Sequence, residues 1–175
     1  EAVKRFGRLD ILINNAGVIF FSTLDNVTQA DWERTFAVNI HAPFYFIQAA
    51  MPHLLKAEGA VVNVCSNAAF KGQAYTPAYG ATKAALVNLT MSLAMEFIHQ
   101  PVRINAVAPG AINTAMATAS GFPEGLDFNL IGRYTPLRAF SEPEDIAEVV
   151  MFLASDKARA VHGSCFIADK GMTAG

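Results

Sequence analysis

Tyr79 and Lys83 stand four residues apart in the segment Pro77-Ala78-Tyr79-Gly80-Ala81-Thr82-Lys83-Ala84-Ala85. If that segment is helical, the phenol and the ammonium leave the same face one turn apart. A neighbouring cation favours phenolate over phenol, whose ordinary pKa is about 10. A phenol brought toward neutrality is a usable general acid/base. Tyr-x-x-x-Lys arises often by chance, so its weight here comes from its company. Ser66 lies thirteen residues upstream, just past an apolar run with strand character. Asn14-Asn15-Ala16-Gly17 follows an earlier run of that kind, and Pro109-Gly110 follows a later one.

The elements that must position these residues are legible as an alternation of strands and helices. Leu9–Asn14 is a short apolar run without polar alternation, as expected of a strand covered on both faces. Ala60–Cys65, Val102–Ala108 and Ser164–Ala168 are further strand candidates. Helices are expected from Thr28 to about Asn39 and from Ala42 to Ala57, where Pro52 should kink or break the stretch. A third begins near Pro77 and runs to about His99, with apolar residues on more than one face. Ser141-Glu142-Pro143-Glu144 has the Ser-x-x-Glu capping pattern of a helix reaching Ala154. Ala2–Phe6 resembles a helix end closed by Gly7.

This order predicts an α/β fold, a three-layer doubly wound parallel sheet with helices on both faces. Such sheets bind ligands beyond the carboxyl ends of their strands, where the polar clusters fall. Residues 111–134 are irregular and read as a lid. That lid offers Met116, Phe122, Leu126, Phe128 and Leu130, with Tyr75 bordering the pocket.

The 175 residues are 53% hydrophobic and 16% charged, which suits one well-packed domain. A net charge of −2 without a basic stripe points away from nucleic acid and anionic membranes. No apolar run is long enough to span a bilayer. The four His residues have no metal-ligand spacing, so no metal is expected. Cys65 and Cys165 read as buried reduced thiols, hence a cytoplasmic protein.

Taken together, Asn14-Asn15-Ala16-Gly17, Asn39, Ser66, Tyr79 with Lys83, Pro109-Gly110 and Thr114 resemble the short-chain dehydrogenase/reductase family over almost the whole chain, from Gly7 to Gly171. The resemblance implies an NAD- or NADP-dependent oxidoreductase interconverting an alcohol and a ketone or aldehyde by hydride transfer. Tyr79 would exchange the proton and Ser66 would hydrogen-bond the reacting oxygen. Lys83 would hold the nicotinamide ribose and lower the Tyr79 pKa, while Asn39 would hold a water linking Lys83 to solvent. A fall of about 3 units in Tyr79 would require about 4 kcal/mol of differential stabilisation. Asn15, Ala16, Gly17, Tyr79, Lys83, Pro109, Gly110, Ile112 and Thr114 would contact the cofactor. Asn14 would serve structure by bridging strands, and capping its helix is the plainer alternative for Asn39. The family's assembly implies a homo-dimer or homo-tetramer.

The chain also departs from the family. The glycine-rich turn Thr-Gly-x-x-x-Gly-x-Gly is absent, so the 175 residues read as the catalytic C-terminal portion of a Rossmann-like domain lacking its first βαβ units. That leaves coenzyme choice unreadable, exposes the edge of the Leu9–Asn14 strand and predicts weak dinucleotide binding by this chain alone. It also supplies an alternative, a catalytically silent relative serving as scaffold or partner subunit. Asp169-Lys170-Gly171 stands where the family often has Asp-Gly-Gly, which puts a positive φ at Lys170 in doubt.

Overall fold

A computed structural model describes residues 1–116 and 122–174. Its sheet is parallel and runs in chain order, β1 (Ile11–Asn14), β2 (Ala60–Val64), β3 (Arg103–Pro109) and β4 (Cys165–Ala168). The register sets Asn14 beside Asn63, Ala60 beside Arg103 and Ala106 beside Cys165. Helix α1 (Ala2–Phe6) closes at Gly7 as expected and leads into β1. Helix α2 (Gln29–Phe36) is capped by the Thr28 hydroxyl, which accepts from the Asp31 N–H. A π-helical turn, Ala37–His41, joins it to α3 (Ala42–Ala57). Then come α4 (Pro77–Glu96), α5 (Phe128–Gly132) and α6 (Pro143–Ala154).

Successive strand residues point to opposite faces, and the two faces have separate cores. On one side Val61 and Ile104 pack with Ile47, Met51 and Leu54 of α3 and with Ala94 of α4. On the other, Val62 and Val107 pack with Ile146, Val150 and Leu153 of α6. Three layers result, because β2 and β3 are apolar on both faces and each face must be covered.

Several expectations need correction. Strand β1 is covered on one face only: Leu12 packs toward α3, while Ile11 and Ile13 stay exposed. Helix α3 runs unbroken through Pro52, and α4 ends at Glu96 rather than His99. The N-cap of α6 is Glu142, not Ser141, and its N–H donates to the Asp145 carboxylate at 2.9 Å. Pro143 takes the first helical position, and the Ser141 backbone is already committed: its N–H donates to Ala111 O and its C=O accepts from Asn113 N–H. Lys170 does adopt φ 53, and its ammonium donates to Phe140 O at 2.9 Å. Part of the 111–134 stretch, residues 117–121, lies outside the described residues.

Arg103 ties β3 to the end of α6. Its Nη1 donates to Leu153 O (2.7 Å) and Ala158 O (3.3 Å), and its Nη2 to Ala154 O (3.3 Å) and Ser155 O (3.0 Å). Last-turn carbonyls lack intrahelical donors and form the negative end of the helix, so a buried-side cation serves both needs. Arg103→Ala is expected to cost about 2 kcal/mol and to lower the melting temperature by roughly 4–8 °C. A melting curve unchanged within a degree would show that water replaces the guanidinium without loss.

Candidate active site

The carboxyl ends of β1, β2 and β3 open onto one cleft of about 340 Å³. Ser66 leaves β2 in extended conformation and starts a short 3₁₀ turn, with its hydroxyl accepting from Ala68 N–H at 3.2 Å. Helix α4 opens with Pro77 in its first turn, where a missing N–H costs nothing. Tyr79 and Lys83 follow on one face. Lys83 is 4% exposed, and its ammonium lies 5.6 Å from the centre of the Tyr79 ring and donates to Val64 O at 2.9 Å. Behind it, Asn14 Nδ2 donates to Asn63 Oδ1 (2.8 Å) and Asn63 Nδ2 to Thr90 Oγ1 (2.9 Å), so Asn14 bridges β1 and β2 as expected.

Asn39 sits in the π turn, fully buried beneath the cleft and not lining it. Its Nδ2 donates to Val18 O (2.9 Å) and Thr82 Oγ1 (3.1 Å), and its Oδ1 accepts from Val18 N–H (2.9 Å). Within the chain, then, its amide holds the segment after Gly17 against α4; it makes no direct bond to Lys83. Isolated π turns often mark functional sites because one extra residue re-aims a side chain.

Asn15, Gly17, Ser66, Tyr79, Lys83, Pro109, Gly110, Ile112 and Thr114 all line this cleft. Ala16 does not; it borders a separate hollow beside β1 with Leu12, Pro43 and Phe46. Tyr75 is not a wall of the cleft either. It takes φ 69, and its hydroxyl accepts from Asp127 N–H. Sequence reasoning missed Ile19, Phe21 and Val64, which line the cleft with Cys65 beside Ser66 and with Ala111 and Met116 of the expected lid. Ile19 and Phe21 fall in a stretch without period, and Cys65 had only its adjacency to Ser66 as a signal. At Gly110 an added Cβ would come within 2.9 Å of Asp169 Cβ and Met172 Sδ, so the backbone after β3 can pack on the C-terminal turn only as glycine.

The electrostatics differ from the simple cation–phenol picture. Burial pushes the Tyr79 phenol above its ordinary pKa, and hydrogen bonding from Ser66 opposes that rise; Lys83 does not bring it down. Burial likewise lowers Lys83. Both shifts have one origin, since each group loses solvation for its charged form. The Cys65 thiol is raised far above its usual range, first by hydrogen bonding with Cys165 and then by burial, so it is an inert thiol despite its position. Both cysteines are free.

What this arrangement can do follows from its donors. Two hydroxyls, Ser66 and Tyr79, face one apolar cleft and can share a substrate oxygen. Lys83 is a buried cation with one carbonyl acceptor and no carboxylate among the described residues. An ammonium carries three donors, so the remaining N–H groups suit vicinal hydroxyls such as those of a ribose. The residues present thus fit the nicotinamide end of a dinucleotide. Among the described residues no group of three or more His, Cys, Asp or Glu side chains could hold a metal ion. No described helix is long and apolar enough to cross a membrane.

Comparison with known proteins agrees with this chemistry. The family model described as enoyl-(acyl carrier protein) reductase matches residues 1–173. Meso-2,3-butanediol dehydrogenase of Serratia marcescens is 37% identical, over 99% of this chain and 68% of its own length. Among solved structures, a 4-hydroxyisoleucine dehydrogenase complexed with NADH superposes with TM-score 0.84 at 30% identity, covering 99% of this chain and 73% of that one. ElxO with NADP bound gives TM-score 0.85 at 30% identity, covering 99% and 71%. Fold and site therefore define a Rossmann-like oxidoreductase. The chain belongs to the short-chain dehydrogenase/reductase family. Its class of reaction is NAD(P)-dependent interconversion of alcohol and carbonyl.

Proposed function

We propose that Tyr79 is the general acid/base of this interconversion, Ser66 the second donor to the reacting oxygen, and Lys83 the residue that holds the nicotinamide ribose. The observation that carries the proposal is the meeting of Ser66, Tyr79 and Lys83 in one cleft at the carboxyl ends of the strands. When bound, the coenzyme, NAD or NADP, supplies or accepts the hydride. In the direction of reduction, Ser66 and Tyr79 hydrogen-bond the carbonyl oxygen. As that oxygen gains charge, Tyr79 gives up its proton and Ser66 keeps its hydrogen bond to the same atom. The burial that raises the Tyr79 pKa keeps the phenol protonated and ready to donate at neutral pH. In the reverse direction Tyr79 must first lose its proton, which the Ser66 hydrogen bond favours. Asn15, Gly17, Pro109, Gly110, Ile112 and Thr114 line the nicotinamide end. Asn39 is a positioning residue for the Gly17–Val18 segment. Ala16 stands beside that end without lining it.

Residues 1–175 act in this proposal as the catalytic portion of one Rossmann-like domain, acting on a small-molecule alcohol or carbonyl compound in the cytoplasm. The assembly is a homo-dimer or homo-tetramer. Exposed apolar side chains support it, with Tyr45 and Phe46 on α3 and Met91 and Met95 on α4. A silent scaffold has no use for two hydroxyls and a buried ammonium at one strand-end cleft, and the enzyme is preferred for that reason.

The test is turnover of a ketone panel with NADH and NADPH across pH, followed by the reverse reaction. Tyr79 is raised, so carbonyl reduction should fall as pH climbs through its pKa, while alcohol oxidation should rise over the same range. Ser66→Ala removes the interaction that lowers Tyr79, so the alkaline limb of oxidation should move to higher pH and kcat should drop about 100-fold. A limb that stays in place or moves toward neutrality contradicts the assigned partnership.

A further inference from the structure

We propose that an aromatic wall, Phe21 with Phe122 and Phe128, selects the substrate of this cleft, and that the substrate is an uncharged carbonyl compound carrying an aryl or bulky apolar substituent. This rests on the function proposed above and adds the substrate class to it.

Phe21 lines the cleft, as do Ile19 and Met116. Its ring meets Phe122 edge-on, with centroids 5.0 Å apart and planes at 65°. Phe122 in turn meets Phe128 edge-on at 5.5 Å and 77°. Aromatic rings favour this T-shaped contact, which leaves the rings' free faces and edges open to another ring. Phe122 and Phe128 are exposed, so the array runs from the cleft-lining Phe21 out to the surface rather than into a core.

The wall is held in place from one short segment just ahead of α4. Ser22 N–H, beside Phe21, donates to Tyr75 O at 2.9 Å. Asp127 N–H, beside Phe128, donates to the Tyr75 hydroxyl at 3.0 Å, and the Tyr134 hydroxyl donates to Ala74 O at 2.9 Å. Tyr75 makes two of these contacts from φ 69, a conformation rare for a residue with a side chain and one that persists only where surroundings hold it. The Phe21 loop and the α5 segment are thereby fixed relative to Tyr79, four residues farther on.

The charge inventory limits what can bind. Among the cleft's lining residues only Cys65, Tyr79 and Lys83 ionise, and Lys83 is claimed by Val64 O and the ribose. A carboxylate or phosphate next to the reacting carbon would thus lose its water without gaining a partner.

The experiment compares acetophenone, butanone and acetoacetate, both as substrates with NADH and NADPH and as ligands by saturation-transfer NMR, which needs no turnover. Wild type should prefer acetophenone to acetoacetate by at least about 10-fold in kcat/KM. Phe21→Ala should lower kcat/KM for acetophenone about 10-fold or more, a clearly larger loss than for butanone. Phe21→Leu, which keeps an apolar side chain in place, guards against misfolding and should give the same ordering at smaller size. If acetophenone binds in a Phe21-dependent way and nothing is turned over, substrate recognition stands and the catalytic proposal falls. If acetoacetate is the better substrate, or if Phe21→Leu lowers all three ketones equally, the rings only pack the lid onto the body and this inference is overturned. Absence of acetophenone binding overturns it as well.

Discussion

Tyr79→Phe should lower kcat about 1,000-fold in both directions while leaving the fold and coenzyme affinity intact. The substitution removes one hydroxyl and keeps the ring that packs near Lys83. A proton donor in the transition state contributes roughly 100- to 10,000-fold, and 1,000-fold corresponds to about 4 kcal/mol of barrier. Tyr79 is half-buried, so its hydroxyl can be lost at small cost to stability, with the melting temperature moving by roughly 2 °C or less. Coenzyme titration should give a Kd within about 3-fold of wild type, because Lys83 and the backbone around Gly17 and Gly110 are untouched. The residual rate should also lose the alkaline transition that Tyr79 confers on the wild type. Retention of more than a tenth of kcat would mean that the proton comes from another group. Absence of turnover in wild type and variant alike, with a native melting curve, would return the silent scaffold to consideration.

How far the sequence could be read depended on whether the deciding interaction was local. Tyr79 and Lys83 share a helix, so four residues of spacing sufficed to put them on one face. Ser66 and Gly110 follow strands and Pro109 ends one, and parallel sheets gather strand ends on one side, so their meeting was foreseeable. What escaped was set by contacts distant in the chain. The Tyr79 pKa runs against the expectation because desolvation depends on everything packed around the phenol, whereas the i, i+4 argument saw only the ammonium. Lys83 finds its acceptor nineteen residues back, at Val64 O. The capping pattern at Ser141 was genuine as a pattern, but Pro143 and the bridge between Ser141 and Ile112 moved the helix start by one residue. Strand β1 stands at the open sheet edge expected for it, but its lack of polar alternation suggested cover on both faces, and Ile11 and Ile13 are exposed. Tyr75 and Lys170 both hold positive φ, which no propensity favours for a residue with a side chain.

Asn39→Asp, a change of one atom, should be among the most damaging substitutions in the chain. The wild-type amide is matched to its surroundings with both polarities, donating to Val18 O and Thr82 Oγ1 and accepting from Val18 N–H. A carboxylate keeps the acceptor and loses the donor, so it would set an oxygen against Val18 O where a 2.9 Å hydrogen bond stood. It would also bury a charge at a site with no solvent exposure. The nearest compensation is Lys83: a Cβ on Gly17 would lie 3.4 Å from Asn39 Oδ1 and 3.5 Å from Lys83 Nζ, so the two groups flank the same small space. An ion pair formed there would draw the ammonium from Val64 O and from the ribose, and it would still leave Val18 O without a donor. Loss of the amide's donor hydrogen bonds from a buried site should cost about 3 kcal/mol, a fall of roughly 6–12 °C in melting temperature. Coenzyme KM should rise with it, since the Gly17 segment that lines the cleft is held by this amide. The pattern separates positioning from acid/base chemistry, because the pH at which Tyr79 titrates in the surviving activity should shift far less than in Ser66→Ala. If Asn39→Asp melts like wild type and binds coenzyme as tightly, the π turn does not organise this cleft, and the link drawn from Asn39 through Val18 to the site is broken.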